Sequence, residues 1–371
     1  MKILVITKRQ YMGKDLLDDR FGRFRELPLE LAKLGHEVIG ISLSYRPRRE
    51  GLFEDFSHNS DTYVSWYSLN LGRLIIPGLI NYLLQSNSLV SKFKPDCIWA
   101  CSDSFHAIIG LWLTHRMKAK GIVDLYDNFE SFGATRLPWV KPLFKRAVRE
   151  ADGVTCVSKT LAKLIFQNYQ PKGSTIVLEN GARTDLFYPQ ERTASRKQLR
   201  LPEKVKIIGA AGGLYRNRGI RTFFRAFELL ANEQKNVHLV IAGPRERRSQ
   251  IPTGPQVHDL GILPLEKVPI LLNAVDLAVI YNRDSLFGRY CFPQKAYEII
   301  ACRTPLVAAA VGAMNNLLAR FPECLFEPDS SQSCARAMRS QLMKPTVLDF
   351  DIPSWAALAK QLEAFFEKIA A

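Results

Sequence analysis

The sequence predicts an α/β protein with two doubly wound domains, each a parallel sheet covered by helices on both faces. The main observation is that short β-branched runs alternate with longer helical patterns along the chain. The alternation stops once, at the polar and basic stretch 188–204, and then restarts. With 371 residues, the chain is also long enough for two domains of about 100–200 residues each.

The first half contains six predicted strands, at 2–8, 36–43, 96–103, 121–127, 153–158 and 175–181. Helical patterns accompany them at 28–35, 104–119 and 159–169. Pro28 is expected at the first position of its helix, because a proline further inside removes a hydrogen bond and clashes with the preceding turn. We assign residues 1–188 to this N-terminal domain.

The second half repeats the pattern over residues 189–353. Its predicted strands are 205–212, 237–243, 275–281 and 305–310, and its predicted helices are 221–234, 265–274 and 293–302. The last segment, 354–371, is an amphipathic helix that we expect to pack back on the N-terminal domain. Its apolar side carries Trp355, Leu358, Leu362 and Phe366.

The formal net charge of +15 favours an anionic partner, which is a phosphorylated small molecule, an anionic membrane surface or nucleic acid. Solubility alone is the alternative explanation of the charge. No RNA-binding or DNA-binding module is visible, so nucleic-acid binding is the remote alternative.

The seven cysteines are odd in number and include no CxxC pair, which favours buried, reduced thiols in a cytosolic protein. There is no HExxH motif and no Cys/His cluster, so no zinc site is expected. The apolar run after Met1 is too short for a signal peptide and predicts a first strand. The longest apolar stretch, 74–84, is interrupted by Pro77 and Gly78 and is shorter than the ~20 residues of a spanning helix.

The loop at residues 209–220 is the first candidate site, because doubly wound sheets bind ligands at the carboxyl ends of their strands. Gly212 and Gly213 allow backbone N–H groups to approach a phosphate, and Arg216 and Arg218 supply guanidinium groups that suit phosphate oxygens. The spacing is not GxGxxG, which disfavours a nicotinamide-dependent reductase. A tight turn with solvated arginines is the alternative.

The helix predicted at 293–302 carries a carboxylate, Glu298, into an apolar run. Lys295 and Cys302 lie three and four positions away, on the same side of the helix. A carboxylate at this position can accept two hydrogen bonds, which is what a ribose diol offers. The alternative is a Glu298–Lys295 pair on a partly exposed edge.

Asp127 ends the strand 121–127 and is expected to project into a cleft between the domains, as a general base or a sugar contact. A helix cap or a turn aspartate is the alternative. Asp124 lies within the strand and is equally well explained by a structural role. The DFD triplet at 349–351 has the form of a metal-binding DxD motif, but it lies far from a strand end.

Two segments, 73–84 and 136–149, combine apolar side chains with cations. This combination suits an anionic membrane surface, and a solvated cationic face is the alternative. We therefore expect a cytoplasmic protein that is peripheral on the inner face of the membrane.

Six segments, which together extend over nearly the whole chain, carry recognisable motifs: ELPLELAKLGHEV (26–38), ADGVTCVSKTLAKLI (151–165), LENGARTDLFYP (178–189), GGLYRNRGI (212–220), DLGILPLEKVPILLNAVDLAVI (259–280) and PQKAYEIIACRTPLV (293–307). Taken in this order, they resemble motifs of the group-1 nucleotide-sugar glycosyltransferases. That family has the GT-B fold, in which two Rossmann-type domains face each other across a cleft.

The resemblance implies transfer of a sugar from a nucleoside diphosphate donor, held by the C-terminal domain, to an acceptor hydroxyl. It implies that Glu298 holds the ribose of the donor, with Lys295 in the same site. Neither a cofactor nor a metal ion is expected, because the arginines and a helix terminus face the pyrophosphate. The favoured acceptor is a lipid-linked or surface-polysaccharide precursor, and the alternative function is a nucleotide-sugar epimerase of the same fold.

Several positions depart from the family's pattern. The glutamate that contacts the donor sugar in the family, eight positions before Glu298, is matched by Tyr290. The loop arginine is matched by Gly213 and the loop lysine by Arg218. Asp127 matches a position that is often histidine in the family, and it is our candidate for the catalytic base. In the loop after the first strand, which is glycine-rich in the family, only Gly13 is present on the acceptor or sugar side.

Overall fold

The computed structural model of the chain describes residues 1–11, 14–57, 61–131, 135, 137–246 and 249–371. These residues form two compact units. The first contains Met1–Asn180 together with Trp355–Ala371, and the second contains Gly181–Ser354. The first unit ends a few residues before the boundary at 188 that we assigned from the sequence.

The first unit is built from ten strands and six helices among its described residues. In chain order these are β1 (Lys2–Lys8), β2 (Gln10–Tyr11), β3 (Lys14–Asp15), α1 (Arg23–Lys33), β4 (Glu37–Ser44), β5 (Gly51–Phe56), β6 (Tyr63–Asn70), α2 (Ile75–Phe93), β7 (Cys97–Ala100), α3 (Ser104–Met117), β8 (Lys120–Leu125), α4 (Val140–Glu150), β9 (Gly153–Cys156), α5 (Lys159–Tyr169) and β10 (Ser174–Val177), with the sixth helix at the end of the chain.

The second unit restarts the alternation, as the sequence predicts. Its elements are α6 (Arg192–Gln198), β11 (Lys206–Ala211), α7 (Ile220–Glu233), β12 (Val237–Ala242), β13 (Val257–Asp259), α8 (Val268–Ala274), β14 (Leu277–Ile280), α9 (Leu286–Tyr290), α10 (Gln294–Ala301), β15 (Leu306–Ala309), α11 (Gly312–Leu317), β16 (Leu325–Phe326) and α12 (Ser331–Met343). The last helix, α13 (Trp355–Ala370), belongs to the first unit.

The main sheet of the first unit has eight strands in the order β10-β9-β8-β7-β1-β4-β6-β5. Every neighbouring pair is parallel except the edge pair of β5 with β6. The interior residues of β1 and all of β7 are buried because helices cover both faces of the sheet. Ile98 packs in a cluster with Tyr82 and Val90 of α2, whereas its neighbour Trp99 points to the other face and contacts Phe366 of α13.

The helix α13 is attached to the first unit by polar as well as aromatic contacts. The Trp99 and Phe366 rings meet edge to face with centroids 6.1 Å apart. His36 and Glu363 lie 2.8 Å apart, between Nε2 and Oε1. Gln361 donates a hydrogen bond of 3.0 Å to the carbonyl of Val177. Residues from the end of the chain therefore complete the core of its N-terminal unit.

The second unit contains a six-stranded sheet in the order β13-β12-β11-β14-β15-β16, and all of its pairs are parallel. One face is covered by α7 and α12, whose Phe223, Phe227 and Met338 pack against Ile208 and Leu239. The predicted fold class, two doubly wound domains with parallel sheets, is confirmed.

The expected start of the first helix is wrong. The helix α1 begins at Arg23, so Pro28 lies inside it. Two buried ion pairs account for the additional turn: Arg23 contacts Asp124 at 2.9 Å and Arg25 contacts Asp55 at 2.8 Å. These contacts, together with the burial of Phe24, offset the hydrogen bond that the proline removes.

Candidate functional site

The switch point of the second sheet lies between β11 and β14. From β11 the chain crosses to β12 on one side, and from β14 it crosses to β15 on the other. Ligands of doubly wound sheets bind where the strand order reverses in this way. The two segments that leave this point are the loop after β11, with Gly212, Gly213, Arg216 and Arg218, and the crossover after β14, with Tyr290, Lys295 and Glu298. All seven were predicted site residues.

The glycine loop is fixed by backbone hydrogen bonds. Gly212 has a φ of +114°, which favours glycine, and its N–H donates to the carbonyl of Ala242 at 2.7 Å. The hydroxyl of Tyr281 donates to the carbonyl of Gly213 at 3.2 Å. A Cβ added at Gly212 would lie 1.5 Å from Nζ of Lys295. The ammonium group of α10 therefore lies directly against the loop.

The two loop arginines occupy a 3₁₀ turn, Arg216–Arg218. Both are half-buried, and neither forms an ion pair with a carboxylate in the part of the chain that the structure describes. The positive charge of Arg218 lowers the pKa of Lys295, second only to the effect of burial. Two cations thus lie close together beside a glycine loop. An anionic ligand would relieve the repulsion between them.

Glu298 is buried, with 7% of its surface exposed. Its Oε1 accepts a hydrogen bond of 3.0 Å from Nε2 of Gln294, one helical turn earlier. Burial raises the pKa of Glu298, while the nearby Lys295 and this hydrogen bond oppose the shift. Burial lowers the pKa of Lys295. Since no ion pair to Glu298 is found among the described residues, a carboxylate oxygen remains for a ligand.

A small cavity lies beside Lys295 and Glu298. Its volume is about 10 Å³, near the space that one water molecule needs. Lys295 and Glu298 form one wall, and the end of β11, with residues of α8, forms another. The cavity is where the carboxylate of α10 meets the strand that leads into the glycine loop.

The remaining predicted site residues are Tyr290, Gly13 and Asp127. Tyr290 is half-buried at the end of α9, on the same crossover as Glu298. Gly13 lies outside the described residues. Asp127 is buried two residues after β8, and its Oδ1 accepts a hydrogen bond of 2.8 Å from the N–H of Asn128. Asn128 in turn caps the short 3₁₀ turn Phe129–Ser131 through a hydrogen bond from Glu130.

Asp124 has a structural partner. Its side chain and that of Arg23 are both fully buried, and Thr155 donates a second hydrogen bond of 2.6 Å to the same carboxylate oxygen. Arg23 also donates to the side chain of Asn180 at 3.0 Å. The carboxylate of Asp124 therefore links α1 to the centre of the first sheet.

Sequence reasoning missed four residues near the switch point. Gln294 could have been found, since it lies four positions before Glu298 on the same helical face. Tyr281 follows β14 directly, and its ring stacks on Phe223 at a centroid distance of 5.6 Å. Tyr215 and Phe287 flank the guanidinium of Arg218, with ring centroids 5.7 and 4.8 Å away. These tertiary contacts leave no signal in the local sequence.

No metal site is found in the described part of the chain, where no three His, Cys, Asp or Glu side chains form a group that could hold an ion. Asp349 and Asp351 of the DFD triplet are exposed in an irregular segment after α12.

Two family models match the chain. Residues 205–344 match the model described as "Glycosyl transferases group 1", and residues 23–186 match "Glycosyltransferase Family 4". The chain belongs to the group-1 glycosyltransferases. The two matches fall within the two halves of the chain, and the first contains the whole switch point, from the glycine loop to Glu298.

Curated relatives of this group-1 chain include a putative glycosyltransferase of teichuronic acid biosynthesis. The chain is 30% identical over 217 residues to the putative teichuronic acid biosynthesis glycosyltransferase TuaC of Bacillus subtilis, a match that covers 56% of this chain and 52% of TuaC. It is 29% identical to the D-inositol 3-phosphate glycosyltransferase of Geodermatophilus obscurus, over 46% of this chain and 40% of the relative. The chain thus matches only about half of the length of these relatives.

Solved structures share the fold over the full length of this group-1 chain. Sucrose-phosphate synthase from Thermosynechococcus elongatus has a TM-score of 0.74 and 20% identity, covering 100% of this chain and 96% of its own. The Anabaena protein Alr3699/HepE in complex with UDP has a TM-score of 0.68 and 16% identity, covering 100% and 97%. At these identities the likeness concerns the fold alone.

Proposed function

We propose that this chain is a glycosyltransferase that moves a sugar from a nucleoside diphosphate donor to an acceptor hydroxyl. The observation that carries the proposal is the switch point of the second unit. There the cations of the loop and α10, which have no ion pair among the described residues, lie beside the buried carboxylate of Glu298. A diphosphate suits the cations, and a ribose diol suits the carboxylate.

Each residue has a role in this proposal. Gly212 and Gly213 allow the diphosphate to approach the loop, and Arg216, Arg218 and Lys295 stabilise the charge that develops on the departing nucleoside diphosphate. Glu298 binds the ribose. Tyr290, which stands where the family has a glutamate, faces the donor sugar. The family membership and the UDP bound to the Anabaena relative of the same fold support this reading.

A panel of UDP, GDP, ADP, CMP and NAD tests the proposal by thermal shift. One nucleoside diphosphate should raise the melting temperature, and incubation with the matching nucleotide-sugars should release it. A larger shift with NAD than with every diphosphate would contradict the proposal.

Release of nucleotide should continue in EDTA, because the cations of the loop would stabilise the negative charge of the diphosphate in place of a metal ion. Turnover that is lost in EDTA and restored by magnesium would overturn the metal-independent mechanism.

Asp127 is the proposed catalytic base, or else a contact that orients the donor sugar. It is buried at the carboxyl end of β8, the edge at which parallel sheets place their ligands. Asp127→Asn should lower turnover by about 10²–10⁴-fold and leave nucleoside diphosphate affinity unchanged, since the nucleotide is assigned to the second unit. Near-normal turnover would leave Asp127 as a turn residue, because asparagine caps as well as aspartate. Asn128→Ala, which removes the neighbouring cap, is the matched control.

For the acceptor we propose a lipid-linked or surface-polysaccharide precursor at an anionic membrane, on its cytoplasmic face. Two relatives named as putative teichuronic acid biosynthesis glycosyltransferases support this acceptor class. All seven cysteines are free and buried, as in reduced compartments. No helix among the described residues is both long and apolar enough to span a bilayer.

The surface of helices α2 and α4 supports contact with a membrane. The segment 73–84 exposes large apolar side chains just before α2 and along it: Leu74, Ile75, Ile76, Ile80 and Leu84. Within 136–149, where residue 136 lies outside the described residues, Trp139 and Leu143 are exposed beside four cations, Lys141, Lys145, Arg146 and Arg149. Both helices follow parallel strands, so their first turns lie at the same edge of the sheet as the carboxyl ends of β6 and β8.

Vesicle sedimentation tests this surface. The protein should bind vesicles with anionic lipid in a salt-sensitive manner, because each cation near such a surface contributes about 1 kcal/mol. Ile76→Gln should weaken binding, whereas Phe166→Gln on α5, which is equally exposed, serves as the control. Equal binding to neutral vesicles, or none to either kind, would contradict the membrane assignment.

A further inference from the structure

The guanidinium of Arg218 is flanked by two aromatic rings that come from separate segments. Its central carbon lies 4.8 Å from the ring centroid of Phe287 in α9 and 5.7 Å from that of Tyr215 in the loop after β11. Both distances lie within the range of cation–π attraction. Since Arg218 has no ion pair among the described residues, these rings are the main groups that fix its orientation.

Each ring is itself held in place. A Cβ at Gly213 would lie 2.5 Å from the ring of Tyr215, so the glycine leaves the space that this ring occupies. The helix that carries Phe287 is capped by Ser285, whose hydroxyl accepts a hydrogen bond of 3.2 Å from the N–H of Gly288. Added bulk at Gly288 would meet the carbonyl of Arg283 at 2.1 Å. The segments that carry the two rings are therefore fixed beside Arg218.

The arrangement has a physical reason. A long arginine side chain near Lys295 would turn into solvent, because the two cations repel each other and a free side chain has many rotamers. Flat rings hold the guanidinium by its faces and leave its N–H groups, which lie in its plane, free for phosphate oxygens. A lysine ammonium has no flat face, which explains why an arginine occupies the position at which the family's motif has lysine.

We infer that Tyr215 and Phe287 are positioning residues that hold Arg218 toward the second phosphate of the donor, so that the site prefers a nucleoside diphosphate to a monophosphate. The inference rests on the proposed function, because it names how the same nucleotide site selects its ligand. The rings act through Arg218 and do not contact the reacting atoms.

Calorimetry on the full chain tests the inference. The probes are the nucleoside diphosphate among UDP, GDP and ADP that stabilises the wild type most and its matching monophosphate. Phe287→Ala should weaken diphosphate binding by about 3- to 30-fold, the range that a cation–π contact supports. For Phe287→Ala, monophosphate affinity should stay within about 2-fold of the wild type. The single variants Phe287→Tyr and Tyr215→Phe, which keep the rings, should retain the diphosphate affinity of the wild type.

A double-mutant cycle decides whether the rings act through the arginine. In an Arg218→Ala background, Phe287→Ala should have no further effect on diphosphate affinity. An equal loss for monophosphate and diphosphate, or a full effect of Phe287→Ala without Arg218, would overturn the inference. If Phe287→Ala fails to fold, Tyr215→Leu is the second variant. A wild type that binds no diphosphate refutes the proposed function, whereas a diphosphate-binding wild type with an unaffected Phe287→Ala refutes only the positioning role.

Discussion

Each unit contains a buried carboxylate near the centre of its sheet, and the two differ in what surrounds them. Asp124 in the first unit has a buried arginine at 2.9 Å and a threonine hydroxyl at 2.6 Å. Glu298 in the second unit has one amide donor at 3.0 Å and a small cavity beside it. Burial raises the pKa of both carboxyls. The raised pKa is therefore shared by the structural carboxylate and by the one that we propose binds ribose, and the two differ in their partners.

The strongest way to test the structural half of this comparison is Arg23→Met. It leaves Asp124 buried without a cation, and such a change costs about 3–5 kcal/mol of unfolding free energy. Urea denaturation followed by circular dichroism measures it. The double variant Arg23→Met/Asp124→Leu should recover most of the loss, because apolar groups can replace a buried ion pair. A single variant as stable as wild type would contradict the structural assignment of Asp124.

Glu298→Ala tests the binding half. It should weaken nucleoside diphosphate affinity by about 1.5–3 kcal/mol for each charge-assisted hydrogen bond that is lost to the ribose. The unfolding free energy should hold or rise, since the variant removes a buried charge for which the described part of the chain supplies no ion pair. Calorimetry and urea denaturation of the same preparation separate the two effects. Unchanged nucleotide affinity together with a lower unfolding free energy would show that Glu298, like Asp124, has a structural role.

Gly212→Ala should have a smaller effect on the same site. Alanine is strained at φ +114° and its Cβ would displace the ammonium of Lys295, so we expect a loss of about 1 kcal/mol or more in unfolding free energy and weaker nucleotide binding. Gly254→Ala is the control, because Gly254 has a φ of +133° but open space around it. If both variants bind nucleotide equally well, the contact with Lys295 has no part in the site.

The last test concerns the pH dependence of stability. Because the folded carboxyl of Glu298 has the higher pKa, the folded state binds its proton more tightly than the unfolded chain does. This contribution is complete below the ordinary pKa of 4.5 and is lost as the pH rises through the folded value. Glu298→Gln should therefore flatten the fall in unfolding free energy between about pH 5 and about pH 7. An identical slope in variant and wild type would show that Glu298 titrates normally.

The parallel sheets and the switch point could be predicted because their signals are local. The strands β1, β11 and β14 are short apolar runs, and the glycine loop and Glu298 follow them at fixed spacing. The edge strand β5 and its neighbour β6 were missed, since β6 mixes serines and aromatics in a pattern that only pairing with β4 turns into a strand.

What could not be predicted depends on contacts between distant residues. Asp124 was ambiguous in the sequence because its partner, Arg23, lies 101 positions earlier on a helix that was expected to begin only at Pro28. The rings beside Arg218 were missed for the same reason, since Phe287 belongs to the crossover after the next strand of the sheet. Burial in the folded chain, rather than spacing, assigns these side chains their partners.

The return of α13 to the first unit bears on the order in which the chain is made. Synthesis from the N-terminus completes residues 1–180 long before Phe366 is available to cover Trp99. Until then, the apolar surface that α13 occupies has no cover from its own chain. The second unit is one uninterrupted segment, Gly181–Ser354, and needs no later residue. The second unit therefore depends on no later residue, whereas the unit synthesised first is complete only once α13 has been made.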